Sequence, residues 1–213
     1  MTFKFENIYK GTTQIHLLHY SEFDPMEYTD RLTSVEIERL IGFSHLSRKR
    51  EFVATRILRN ELFGAEHIHY DHNGAPYIEK EGFISISHST TTAALAFNSS
   101  YPVGLDLEKL NDKARRVHSK FLSLEEIQLF DTNSDEQMTQ CWSAKECLYK
   151  LAGHKQIDFK KNLRLSPLGQ HRYLGAIHND QKIRSVEIDT FVKGNLIISI
   201  NVTPLTEQDS IQD

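Results

Sequence analysis

Between Phe83 and Leu107 the chain places three short runs rich in β-formers, Phe83 to Ser87, Thr92 to Phe97 and Val103 to Leu107, divided by polar or turn residues such as Asn98-Ser99-Ser100. Runs so short and so closely spaced predict a meandering sheet. Around them the pattern turns helical twice. Thr33, followed three residues later by Glu36, reads as a capping box that opens a helix, and helical signal continues past a break near Gly42 through Arg48 to Leu62, with Gly64 just beyond the end. A second helical stretch runs from Lys113 to Gly153, with Ser123-Leu124-Glu125-Glu126 as an internal cap and Gly153 as the stop. Ile15 to Tyr20 reads as a first strand, and Ser185 to Val192 and Leu196 to Val202 meet at the hairpin turn Lys193-Gly194-Asn195. The order predicts an α+β protein in two halves, 1–102 and 103–213, with a polar tail from Pro204 to Asp213 expected to fray.

Composition narrows the classes of function. At 213 residues, 39% hydrophobic and 25% charged, with a formal net charge of −4, the chain offers no global basic field, so neither nucleic acid nor an anionic membrane is expected as the main partner. The amino-terminal Met1-Thr2-Phe3-Lys4-Phe5-Glu6 is interrupted by charge and has no apolar signal core, which makes a cytoplasmic protein the expectation. Cys141 and Cys147, six positions apart on one helix, point in different directions and read as buried small hydrophobes. In Glu66-His67-Ile68-His69-Tyr70-Asp71-His72 a strand would set His67, His69 and Asp71 on one face, a metal-like spacing that alternation in a polar edge strand explains equally well.

Three clusters carry chemistry. In Val103-Gly104-Leu105-Asp106-Leu107-Glu108 an apolar strand ends in two carboxylates at i, i+2, on one face, a spacing that suits a hard cation such as Mg²⁺ but also fits solvated strand-end acids. In Trp142-Ser143-Ala144-Lys145-Glu146-Cys147-Leu148-Tyr149-Lys150 the apolar stripe of a helix includes Lys145, which hints at an anion or carboxylate on that side. Glu146 and Lys150 stand at i, i+4 as an ordinary helix-surface pair would. In Ile84-Ser85-Ile86-Ser87-His88-Ser89 a strand end delivers His88 between hydroxyls, a donor set for phosphate or a histidine satisfied at a strand end. A hydrolase built on this cluster lacks the Gly-x-Ser-x-Gly elbow.

Taken together, the clusters resemble the Sfp-type 4'-phosphopantetheinyl transferases. Gly74-Ala75-Pro76 is similar to the family's Gly-Lys-Pro turn, Ser85-Ile86-Ser87-His88-Ser89 to its serine-histidine strand, and Val103 to Glu108 to its Gly-Ile-Asp-Ile-Glu strand. Trp142 to Lys150 resembles its Trp-x-x-Lys-Glu-x-x-x-Lys helix, and Phe121-Leu122-Ser123 with Glu126 its Phe-x-Ser segment. The departures are Ala75 for lysine, Leu105 for isoleucine or valine, and Cys147 for alanine or serine.

The resemblance implies two similar halves related by a pseudo-two-fold axis, with an active-site cleft between them, working as a monomer. It implies Mg²⁺ at Asp106, Glu108 and Glu146, coenzyme A as co-substrate, and a serine of an apo acyl or peptidyl carrier protein as acceptor. His88 and Lys150 would hold phosphate oxygens, with Lys145, Gly74, Pro76 and Ser87 contributing to coenzyme A binding. Because Ala75 removes a cation, the nucleotide end would lean on Arg48, Arg50 and Arg56. Glu146 is the first candidate for the acceptor of the serine proton and Glu126 the second. Lys113, Arg115, Arg116 and Lys120 form the densest basic stretch, suited to an acidic carrier protein. Two rivals share these residues: a coenzyme A-binding module without transfer activity, and a Mg²⁺-dependent phosphohydrolase.

Overall fold

A computed structural model describes residues 3–79, 82–153, 156–179 and 182–209, and the chain divides into two compact units, Met1–Ser99 and Ser100–Asp213. Both are mixed α+β, each with its own antiparallel sheet.

The first unit runs β1 (Lys4–Lys10), β2 (Thr13–His19), a short 3-10 helix (Pro25–Arg31), α1 (Ser34–Gly42), α2 (Leu46–Phe63), β3 (His69–Tyr70), β4 (Pro76–Ile78), β5 (Gly82–Ser89) and β6 (Thr92–Asn98). The sheet order is β1-β2-β6-β5-β4-β3. The capping box forms as its spacing predicts: the Thr33 hydroxyl accepts from the Glu36 amide, and the Glu36 carboxylate accepts from the Thr33 amide. Helix α2 buries Phe52, Val53, Ala54, Ile57 and Leu58 in a core shared with Leu18, Ile84, Ala93 and Leu95 of the sheet. It also buries charge. Glu36, only 1% exposed, accepts from Arg56 Nε at 3.0 Å and Arg59 Nη2 at 3.1 Å. Interior charges of this kind persist only when paired and hydrogen-bonded.

The second unit runs β7 (Leu105–Lys109), α3 (Lys113–Phe121), α4 (Leu124–Leu129), α5 (Asp135–Ala152), β8 (Leu163–Gly169), β9 (Arg172–Asn179), β10 (Lys182–Lys193), β11 (Leu196–Asn201) and β12 (Thr206–Asp209). Its sheet order is β7-β11-β10-β9-β8, with β12 on β10. Met138, Cys141, Ala144, Cys147, Leu148 and Leu151 form the buried stripe of α5 and pack with Leu163, Leu165, Ile177, Val186 and Ile188. Ser123 and Glu126 close a second capping box at the start of α4. The β10–β11 hairpin turns at Gly194, whose φ of +60° is easily reached without a Cβ.

Several expectations are corrected. A strand precedes the one expected first: Lys4–Lys10 is an edge strand, β1, whose backbone pairs with β2, with Phe5, Asn7 and Tyr9 on its more exposed face and Glu6, Ile8 and Lys10 on the other. The tail does not fray from Pro204: Thr206–Asp209 pairs with Lys182–Ser185 of β10. The histidine-rich strand shrinks to His69–Tyr70, where the His69 ring stacks on Tyr77 and His67 lies 3.8 Å from Glu36. Among the described residues no helix is long and apolar enough to cross a membrane.

Candidate active site

The strongest concentration of chemistry lies in the second unit, where α5 crosses β7. Gly104 sets the spacing. A Cβ built there would stand 2.4 Å from the Cys147 carbonyl oxygen and 2.8 Å from Leu151 Cγ, so only a residue without a side chain permits so close an approach. The Cys147 thiol donates to the Gly104 carbonyl at 3.1 Å, a second sign of that proximity. One turn of α5 then brings Glu146 and Lys150 to the strand that carries Asp106 and Glu108.

The side chains are tied together individually. Lys150 Nζ donates to the Leu105 carbonyl at 2.6 Å and to Asp106 Oδ1 at 3.1 Å. Trp142 Nε1 donates to Glu108 Oε1 at 2.8 Å. Burial raises the Glu146 carboxyl, the negative charge of Asp106 and that of Glu108 raise it further, and Lys150 opposes them; the net result is a group pushed up to about 7. Burial, followed by repulsion from Asp106, also raises Glu108, against the Trp142 hydrogen bond and the charges of Lys113 and Lys150.

Three carboxylates that repel one another form an electrostatic demand for a cation. Among the described residues, no group of three or more His, Cys, Asp or Glu side chains forms a ready metal cage. Magnesium does not require one: it is held by one or two carboxylates, with waters and substrate phosphates completing an all-oxygen shell. The oxygen donors of Asp106, Glu108 and Glu146 fit that chemistry.

In the first unit the end of β5 presents His88 to α2. Arg48 Nη1 lies 2.7 Å from His88 Nε2, and His88 Nδ1 lies 3.4 Å from Glu51 Oε2. Arg50 donates Nε to the Phe23 carbonyl at 2.9 Å. Gly74, at φ +89°, turns in a loop where Asp71 Oδ1 accepts from the amides of Asn73 and Ala75, and Pro76 opens β4. Ser87 is buried in β5 opposite Ala94.

Three expected site residues have interior roles instead. Lys145 is wholly buried, and its ammonium donates to Glu126 Oε2 at 2.8 Å and to the carbonyls of Phe121, Phe159 and Leu163. Its donors are consumed inside the unit, which explains a lysine within an apolar stripe without any ligand. Glu126 likewise accepts from Lys145, the Ser123 amide and the Leu165 amide, and is 2% exposed, too enclosed to meet an incoming hydroxyl. Arg56 is the buried partner of Glu36 and also donates to the Tyr70 hydroxyl at 3.1 Å. On α3, Arg115 pairs with Asp135 at 2.6 Å and Arg116 with Asp112 at 3.3 Å, while Lys113 and Lys120 are exposed.

Trp142 is not among the site residues expected from the sequence, yet its indole nitrogen bonds Glu108. The available signal was a Trp one turn before Glu146, since a buried indole nitrogen needs an acceptor. A search of curated proteins found no match to the chain. Residues 102–200 match the model of the 4'-phosphopantetheinyl transferase superfamily, and they contain the whole β7–α5 cluster. The segment that carries Asp106, Glu108, Glu146 and Lys150 is therefore the part of the chain that is similar to the 4'-phosphopantetheinyl transferase superfamily.

Proposed function

We propose that this protein transfers the 4'-phosphopantetheine arm of coenzyme A to a serine of an apo acyl or peptidyl carrier protein, with Mg²⁺, releasing 3',5'-ADP. The observation that carries the reading is the grouping of Asp106, Glu108, Glu146 and Lys150 where β7 meets α5, inside the segment that matches the family. An Sfp-type enzyme, with two similar halves in one chain, is the subtype we favour, and the repeated strand connectivity of the two units supports it.

In the proposed reaction the carrier serine oxygen attacks the phosphorus attached to pantetheine, the bond to the bridging oxygen breaks, and 3',5'-ADP leaves with the electron pair. The serine proton needs an acceptor, and Glu146, which α5 brings beside Asp106 and Glu108, is the one we propose. Lys150 is oriented by Leu105 and Asp106 and has a remaining N–H to donate to a phosphate oxygen. Asp106, Glu108 and Glu146 would hold the magnesium ion, which supplies Lewis-acid stabilisation of charge on the pyrophosphate. His88 and Arg48 are the proposed phosphate contacts of the first unit, and the exposed residues of α3, Lys113 and Lys120, suit an acidic carrier surface.

The decisive experiment incubates the protein with coenzyme A, Mg²⁺ and an apo carrier protein. A mass gain of one phosphopantetheine moiety on the carrier, with 3',5'-ADP in the supernatant, supports the reading. Coenzyme A binding without that product favours the binding module, and hydrolysed coenzyme A with an unmodified carrier favours the phosphohydrolase. Asp106→Ala should abolish transfer; near-normal turnover at saturating Mg²⁺ would count against this site.

A further inference from the structure

Trp142 is the single tryptophan of the chain, and its polar edge is used on one of the three carboxylates. The indole nitrogen is a donor only, so its 2.8 Å bond to Glu108 Oε1 fixes that oxygen and directs the other one of the same carboxylate elsewhere. The ring itself is held on two sides. Phe121, at the end of α3, meets it edge-on at 5.2 Å, and Phe159, in the connection from α5 to β8, stacks on it at 5.3 Å and 18°. Phe159 is in turn stacked on Tyr149 at 5.4 Å, and its carbonyl accepts from the buried Lys145 at 2.9 Å. The indole cannot rotate away from Glu108 without undoing these stacks.

We propose that Trp142 is a positioning residue for cation binding: its N–H sets the rotamer of Glu108 and leaves Oε2 to face the ion, while Phe121 and Phe159 hold the indole in that pose. The proposal rests on the reading of Asp106, Glu108 and Glu146 as metal ligands. Partners that orient a ligating carboxylate typically matter 10- to 100-fold in metal affinity. A tryptophan serving only as core filler would make no such contribution through its nitrogen.

The test separates ring from nitrogen. Trp142→Phe keeps aromatic stacking and removes the N–H, and Mn²⁺ binding is followed by electron paramagnetic resonance of the free ion with coenzyme A at saturation. The expected result is at least a tenfold loss of Mn²⁺ affinity with a nearly unchanged thermal midpoint, and a KM for Mg²⁺ that rises far more than kcat falls at saturating metal. Phe159→Ala, which keeps the N–H but loosens the ring, should weaken Mn²⁺ binding by a smaller factor. Equal affinity in wild type and Trp142→Phe, with binding still lost in Asp106→Asn, overturns the proposal and leaves the carboxylate reading standing. Equal affinity in wild type and Asp106→Asn overturns the carboxylate reading, and the positioning role with it. Should Trp142→Phe fail to fold, the wild type decides: a saturable Mg²⁺-dependent change in tryptophan emission, lost in Glu108→Gln, supports the proposal, and an emission indifferent to Mg²⁺ sinks it.

Discussion

The two units share a strand connectivity and differ most tellingly beside the leading strand, apart from β12, which only the second unit carries on β10. In the first, β2 leads through helices to β3, β4, β5 and β6, which return so that β6 lies beside β2; in the second, β7 leads through helices to β8, β9, β10 and β11, and β11 lies beside β7. Both bury a capping-box glutamate against cations of the long helix, Glu36 with Arg56 and Arg59, Glu126 with Lys145. The difference is at the leading strand. β2 is covered on its other side by β1, whereas β7 is the edge of its own sheet among the described residues and carries Asp106 and Glu108. The shared features stabilise a fold; the carboxylates are added where the second unit leaves its leading strand open.

The largest expected effect tests the shared buried pair. Lys145→Met strands Glu126 without the cation it pairs with, and loss of one partner of a buried pair costs about 3–5 kcal/mol, measurable by urea denaturation. Arg59→Met should cost less, because Arg56 still faces Glu36. Equal losses would break the claim that the first unit is doubly insured.

Next in size is the chemistry assigned to the second unit alone. Glu146→Gln keeps shape and helix propensity but removes charge, and transfer to an apo carrier should fall by roughly a hundredfold or more. Partial rescue at high Mg²⁺ would sharpen the role toward metal ligation. A variant that transfers at the parental rate refutes the site.

In the first unit, His88→Ala should weaken coenzyme A binding by about 1.5–3 kcal/mol, the scale of one charge-assisted hydrogen bond, read by calorimetry with magnesium present. Unchanged affinity would leave His88 as a partner of Arg48 and Glu51 only.

Acid should expose the first unit's carboxylate. Burial alone would raise Glu36, but the Thr33 amide and the charges of Arg59 and Arg56 outweigh it and hold the carboxyl below its ordinary 4.5. Such a group stabilises the folded state above its unfolded value, and the contribution is lost as pH falls through the folded value. Exchange protection in α1 and α2 should therefore fall as the pH drops below 4.5; protection independent of pH would contradict the assignment. The smallest effects concern the caps themselves: Thr33→Ala and Ser123→Ala should each cost about 1 kcal/mol, and a large difference between them would show that the two boxes are not equivalent.

Local signals were legible in the sequence and distant pairings were not. Thr33 with Glu36, Ser123 with Glu126, Gly64, Gly153 and the Gly194 hairpin each act within a few residues, and each appears where its spacing placed it. β8 and β9 escaped because Pro167, Gly169 and Gly175 interrupt their alternation, and only the pairing of β9 with β10 and of β8 with β9 makes them strands. The metal-like spacing of Asp106 and Glu108 was visible, but what surrounds it was not. Lys145 reads as a ligand-seeking cation until Glu126, nineteen positions away, is folded against it. Trp142 reads as core until Glu108, thirty-four positions away, arrives at its nitrogen.

Gly104 carries no side chain into the proposed site and yet sets how closely its strand and helix can lie. Any side chain at that point would have to displace the Cys147 backbone, because the carbonyl oxygen 2.4 Å from its first carbon belongs to a helix that cannot yield locally. The carboxylates of strand and helix would then drift apart as a block, each still intact. Anyone transplanting this acid-and-lysine arrangement onto a new scaffold would have to copy, before any acid, the bare backbone atom that lets the two elements lie this close.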